Sequence, residues 1–233
     1  MNNHPISWAS PFLFGNEEKF IINTLRSTWI SGGKYIEAFE NFIKKKFKIK
    51  NAFLVSNGTT ALHLAFLSIG LKIGDEIIVP GYGYMAAANI GKLMNLNVKF
   101  SDVDKETYCI NLETLKKYIT SKTKAVVTTH TYGNINDIFE IKKFLKQKKI
   151  ILIEDAAESF SCQDQKKFSG TIGDIGTYSF HATKNIVTGE GGMVVTNNKD
   201  FAKKILLYRS HGVKKERYKH VVTGHNFRIT NMQ

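Results

Sequence analysis

The sequence predicts an α/β protein built on a largely parallel sheet, and three observations carry that expectation. Its 233 residues suffice for one substantial α/β domain with a real core. From Asn51 onward, short apolar runs alternate with helical stretches, the rhythm of βαβ units whose sheet is covered on both faces. After Gly173 that rhythm breaks into two β-like runs, "GTYSF" and "GGMVVT", which read as a hairpin-like or antiparallel element beside the parallel sheet.

In order along the chain, residues 1–50 read as an N-terminal arm with one or two helices. Strands are expected at Ala52–Val55, Glu76–Pro80, Asn97–Val103, Lys124–His130 and Ile150–Asp155, each a short apolar run. Helices are expected between them at Thr59–Ile69, Tyr84–Met94, Leu112–Thr120 and Ile138–Gln147, followed by a last one at Lys199–Arg209. Residues 51–212 would form the main domain and residues 213–233 the start of a further, truncated region. The closing "GHNFRITNMQ" resembles the opening of another helix, so the chain is expected to be a fragment.

The formal charge is +13, but the lysines sit in short groups such as "IKKKFKIK" and "IKKFLKQKKI" on presumed solvent faces of amphipathic helices. No helix-turn-helix, zinc-finger or RNA-recognition pattern accompanies them, so nucleic acid is not an expected partner; a basic surface also suits an anionic small substrate. No window is apolar enough to span a bilayer, and the start lacks the pattern of a signal peptide, which makes the cytoplasm the expected compartment and a membrane not an expected partner. Cys109 and Cys162 lack metal-ligand spacing and read as two reduced thiols.

Four constellations stand out. In "LVSNGTTALHLA" a strand runs through Ser56, Asn57, Gly58, Thr59 and Thr60 into a helix, gathering N–H groups and hydroxyls at a positive helix end, which is equally an ordinary cap and a phosphate cradle. "IILIEDAAES" delivers Glu154 and Asp155 at the carboxyl end of a strand, where open α/β sheets bind ligands; lacking a second acidic or histidine cluster, it is not read as a metal site. "PGYGYMAAAN" offers Tyr82 or Tyr84 as a flat face, or as the edge of a core. "YSFHATKNIVTGEGG" places Ser179 and Lys184 ahead of Gly189, Gly191 and Gly192, which permit close approach of the backbone. Together they supply a phosphate cradle, an aromatic plate, an acid and an amine, the parts that pyridoxal 5′-phosphate requires.

The ordered motifs "PISWASP", "STWISGGKYIEAFE", "SNGTTALHLA", "GDEIIVP", "IEDAAES", "YSFHATKN", "TGEGGMVVTN" and "GHNFRITNMQ" closely resemble the DegT/DnrJ/EryC1/StrS family of sugar aminotransferases. The resemblance implies the large domain of a fold-type-I pyridoxal-phosphate-dependent transferase with its C-terminal small domain truncated. "STWISGGKYIEAFE" and "TGEGGM" look most like the perosamine synthase branch. Its members transfer an amino group to C4 of a nucleotide-linked 4-keto-6-deoxyhexose, with glutamate as donor, for lipopolysaccharide or other cell-surface glycans. By motif, Lys184 matches the Schiff-base lysine and proton shuttle, Asp155 the acid at the pyridine nitrogen, and Tyr84 the residue against the ring. Gly58, Thr59, Thr60 and Ser179 match the phosphate contacts, and Asn226 an asparagine that reaches the neighbouring subunit's phosphate in a homodimer with shared active sites. Glu158 stands where many members carry a glutamine near the cofactor's phenolic oxygen. One relative replaces the lysine by histidine and dehydrates its substrate; retention of Lys184 implies amino transfer. The rival expectation is a truncated, non-catalytic homologue acting as a fragment or interaction module.

Overall fold

The computed structural model describes residues 7, 9–135, 137–214 and 218–233. Two helices come first, α1 (Glu17–Arg26) and α2 (Lys34–Lys46). Glu17 closes the start of α1 by accepting hydrogen bonds from the N–H groups of Phe14 (3.0 Å) and Gly15 (2.8 Å). Then follow β1 (Asn51–Val55), α3 (Gly58–Ile69), β2 (Glu76–Pro80), α4 (Ala86–Leu93), β3 (Asn97–Ser101), α5 (Leu112–Lys116) and β4 (Thr123–Thr129). A 3₁₀ turn, Thr131–Gly133, leads to α6 (Ile138–Gln147) and β5 (Ile151–Asp155). The chain continues through a small hairpin, β6 (Gln163–Asp164) and β7 (Lys167–Phe168), to β8 (Ile175–Ser179), β9 (Gly192–Thr196) and α7 (Lys199–Arg209).

Seven strands form one sheet in the order β1-β9-β8-β5-β4-β2-β3. The expectation of a mostly parallel sheet holds: β8, β5, β4, β2 and β3 run parallel, and β9 alone runs antiparallel to both its neighbours, β8 and β1. The run "GTYSF" therefore does two jobs, pairing with β9 as a hairpin and continuing the parallel sheet beside β5. Because β1 is antiparallel to β9, it points the same way as the parallel strands, and the start of α3 shares one rim with the carboxyl ends of β8, β5, β4, β2 and β3.

Both faces are covered, which is why the strands read as continuous apolar runs. On one face α3 buries Ala61, Leu62, Leu64, Ala65 and Phe66 against Val127, Ile153, Ile175 and Val194. On the other, Ile43 of α2 and Phe47 at its C-cap pack with Tyr178, Met193 and Val195, and Ile138, Ile141 and Leu145 of α6 pack with Val126 and Leu152.

Several boundaries differ from the sequence expectation. β3 ends at Ser101, opposite the last residue of its partner β2, Pro80, and α5 stops at Lys116 rather than Thr120. α4 opens at Ala86, leaving Tyr84 in the preceding loop. The expected helical opening at the chain's end is not formed: residues 228–233 are irregular. There Asn231 is held by three bonds that a helix would not offer. Its amide N–H donates to Ile30 O, its Nδ2 to Trp29 O, and its Oδ1 accepts from Tyr35 N, clasping the tail to the N-terminal arm.

Candidate active site

The rim at the carboxyl ends of the strands gathers most of the expected site residues. β1 hands the chain to α3 through Ser56 and Asn57, and Asn57 caps the helix by accepting from Thr60 N at 2.9 Å while Thr60 Oγ1 accepts from Asn57 N at 3.2 Å. Thr60 is thus committed to the cap, and its hydroxyl also bonds Asn57 O at 2.8 Å. The first-turn N–H groups of Gly58 and Thr59 have no intrahelical partner and point into the rim at the positive end of the helix.

Ser179 ends β8 directly against that cradle. A Cβ on Gly58 would lie 2.9 Å from the Ser179 Cβ, and one on Gly192 would collide with the main chain of Asn57. Glycine at these two positions lets the start of α3 seat on the ends of β8 and β9. The cradle is therefore a product of close backbone approach, the fit a phosphate group needs.

Asp155 closes β5 next to this cradle, in register with Thr177 of β8. It is buried, and among the described residues its carboxylate has one hydrogen bond, accepted by Oδ1 from Ala157 N at 3.2 Å. Burial pushes its pKa up from the ordinary carboxylate value, opposed by the Ala157 N–H and by the positive field of Lys184 and His130. An acid left short of partners in this way is suited to a cationic ring N–H.

Lys184 sits in the loop from β8 to β9. That loop is closed by Phe180 N donating to Gly191 O (2.8 Å), Thr188 N to Phe180 O (2.9 Å) and Ala182 N to Gly189 O (3.0 Å). The lysine side chain is 24% exposed, and its Nζ lies 3.6 Å from Glu158 Oε1. The second carboxylate oxygen of Glu158 accepts from Tyr132 N at 3.0 Å, so Glu158 stands between the lysine and the 3₁₀ turn after β4. His181 makes local contacts, with Thr183 Oγ1 at 3.0 Å and with Glu190 Oε1 at 3.8 Å.

Tyr84 projects from the β2–α4 loop with 88% of its surface exposed, so it is not the edge of a core; its ring presents a free face. Asn226 is exposed in the segment whose next residue, Phe227, accepts from Ser56 N at 3.0 Å, placing it beside the chain entering α3.

Two features escaped the sequence reading. One is the buried pair His130 Nε2 and Glu154 Oε2 at 2.8 Å, just behind Asp155. The other is a row of tyrosines on the same rim, in which Tyr82, already singled out with Tyr84, is joined by Tyr132 and Tyr108. "TTHTYG" follows a strand directly, so its position at a carboxyl end was a usable signal. Which strands neighbour one another was not.

A mostly parallel seven-stranded sheet with one antiparallel strand, and a lysine loop, an acid and a helix start on one rim, is the architecture of the fold-type-I transferases. The family model for the DegT/DnrJ/EryC1/StrS aminotransferase family matches residues 14–233. GDP-perosamine synthase of Escherichia coli O157:H7 is 42% identical over 224 residues, covering 95% of this chain and 62% of the relative. The enzyme of the same name from Caulobacter vibrioides is 40% identical, covering 98% of this chain and 62% of its own length. Among solved structures, the E. coli GDP-4-keto-6-deoxy-D-mannose-3-dehydratase with bound hydrated PLP superposes with a TM-score of 0.92 at 34% identity, covering 98% of this chain and 66% of that one. Helicobacter pylori PseC, an aminotransferase in pseudaminic acid biosynthesis, gives 0.93 at 27% identity, covering 98% and 63%. The chain belongs to the DegT/DnrJ/EryC1/StrS aminotransferase family. It spans about three fifths of the length of the curated relatives it matches.

Proposed function

We propose that this chain is the cofactor-bearing part of a cytoplasmic, pyridoxal-phosphate-dependent aminotransferase. It moves an amino group from glutamate to a nucleotide-linked keto-deoxy sugar, at C4 of a 4-keto-6-deoxyhexose, in the making of cell-surface polysaccharide or glycan. The observation that carries this reading is Lys184: its amine is 3.6 Å from Glu158 and close enough to Asp155 to act on its charge, on the rim that also holds the α3 cradle. The similarity to the perosamine synthases supports the substrate class.

The residues present fit the cofactor. When bound, it supplies an electron sink for the carbanion formed on proton removal. The N–H groups of Gly58 and Thr59 and the Ser179 hydroxyl would hold its phosphate, with Thr60 acting through the cap that orients them. Tyr84 would offer its exposed ring face to the cofactor's ring. Asp155 supplies the negative charge that keeps the ring nitrogen protonated. Lys184 Nζ would be the attachment point for the cofactor, and its amine is the group that would take and return the substrate proton as a general base and acid. Glu158 receives the ammonium of the free lysine on one oxygen while Tyr132 N holds the other. Asn226 reaches the phosphate of a second copy in a homodimer with shared sites. Residues 1–50 serve as the arm, 51–212 as the cofactor domain and 213–233 as the start of the C-terminal region; nucleic acid is no partner. Lysine at 184 favours amino transfer over the dehydration named for one relative, the E. coli O55:H7 enzyme.

Absorbance spectra of the protein mixed with pyridoxal phosphate, before and after glutamate, test the reading against Lys184→Ala. A cofactor band that requires Lys184 and changes to the amine form with glutamate supports it. A folded protein without such a band overturns it.

A further inference from the structure

The loops after β5, β4, β2 and β3, four strands adjacent in that order, carry Glu158, Tyr132, Tyr82 and Tyr108. The rim therefore runs outward from Lys184 through a carboxylate to three tyrosines in a row. The contacts are continuous: Lys184 Nζ to Glu158 Oε1 at 3.6 Å, Glu158 Oε2 to Tyr132 N at 3.0 Å, a side-chain hydrogen bond between Tyr132 and Tyr82, and rings of Tyr82 and Tyr108 with centroids 5.2 Å apart.

We propose that Tyr132, backed by Tyr82 and Tyr108, is an apolar shelf for the hexose ring of the substrate and its C6 methyl group. This rests on the nucleotide-sugar reading above. The reacting carbon must come to the lysine, and Tyr132 is separated from that lysine by a single carboxylate. The part of a nucleotide sugar that can lie there is the hexose, because ribose and diphosphate hold the base well away from it.

The chemistry of the row fits the same part. Tyr82 and Tyr132 share a side-chain hydrogen bond, and all three rings are exposed, so the broad surface the row offers is its ring faces. Such faces pack against C–H bonds and a methyl group and provide no partner for a hydroxyl. Tyr132 is 78% exposed and its backbone is left-handed, φ 52° and ψ 27°, a conformation costly for a bulky side chain. Burial of this ring in the core does not offset that cost, so the residue's contribution lies in what it presents to the rim.

Titration calorimetry of this chain with pyridoxal phosphate present, using GDP-6-deoxy-D-mannose, GDP-mannose and GDP as probes, tests the shelf. The first two differ only in the 6-hydroxyl, and neither carries a keto group to react. The wild-type protein is expected to prefer the 6-deoxy sugar by about tenfold. Tyr132→Asn, a residue that tolerates the left-handed backbone, should erase that preference and leave GDP binding unchanged, whereas Tyr132→Phe should keep it. Tyr82→Leu, at a position with ordinary backbone angles, should reduce the preference without relying on the fold around residue 132. Equal wild-type binding of both sugars, or a preference that survives Tyr132→Asn and Tyr82→Leu, overturns the shelf while leaving the nucleotide-sugar reading intact. Failure of all three probes to bind the wild-type protein removes that reading and the shelf together.

Discussion

Glu154 and Asp155 are consecutive acids at the end of β5, and the structure gives them opposite surroundings. Alternation along the strand turns them to opposite faces of the sheet. Glu154 is fully buried and accepts hydrogen bonds from the N–H groups of Gly170, Ile172 and Gly173 and contacts His130 Nε2. Among the described residues the Asp155 carboxylate has one N–H partner, and it faces the cradle and the lysine. The first acid is spent on the fold, and the second is left available for a ligand.

His130→Ala should therefore be a stability mutant. It leaves a void and removes a partner from a fully buried carboxylate, at a cost of about 3 kcal/mol. Urea unfolding reads this as a lower midpoint. An unchanged midpoint would show that the pair does not tie β4 to β5.

Asp155→Asn should raise the stability of the cofactor-free chain near neutral pH while weakening cofactor capture. Burial raises the folded-state pKa of Asp155 above its ordinary value of 3.8, so its ionisation disfavours the folded state. The gain from Asn is then full above the raised pKa, fades as pH falls from that value towards the unfolded value, and is gone below it. Thermal unfolding should show a rise of about 2–4 °C for each 1 kcal/mol relieved. A gain that grows towards acid pH would contradict this.

Gly192→Ala should damage fold and cradle together. The added Cβ meets main-chain atoms of Asn57, which cannot yield as a flexible side chain would. A loss of about 1–3 kcal/mol is expected. Weaker pyridoxal-phosphate retention by the folded fraction, measured by equilibrium dialysis, is the accompanying sign.

Asn57→Ala and Ser179→Ala should separate cap from cradle. The first removes the α3 cap and costs about 1 kcal/mol of stability. The second leaves the unfolding midpoint within about 0.5 kcal/mol, yet it should weaken cofactor retention. If both variants lose stability alike, Ser179 is a structural residue.

Much of this was legible in the residues. The alternation of apolar runs with helical patterns fixed the layers, because strands buried on both faces and helices with one apolar stripe leave periodic traces. The "SNGTT" capping pattern and the position of "IEDAAES" at the end of an apolar strand pointed to the rim, and the lysine between β8 and β9 stood out from its neighbours. Boundaries were less legible. Tyr84 read as helical but projects from a loop, and the helix-like tail is instead clasped by the arm through Asn231.

What the sequence by itself determined is the set of parts: a capped helix start suited to a phosphate, an acid, an aromatic side chain and an amine, on an α/β scaffold. What only the tertiary structure decided is their arrangement. Strand order depends on which distant segments pair, a matter of contacts far apart in the chain, and that order alone puts Glu158 and three tyrosines in a line from Lys184. The same is true of the two acids of β5. Local pattern carries both to the end of the strand, but only packing against Gly170, Gly173 and His130 makes Glu154 structural and leaves Asp155 facing the site.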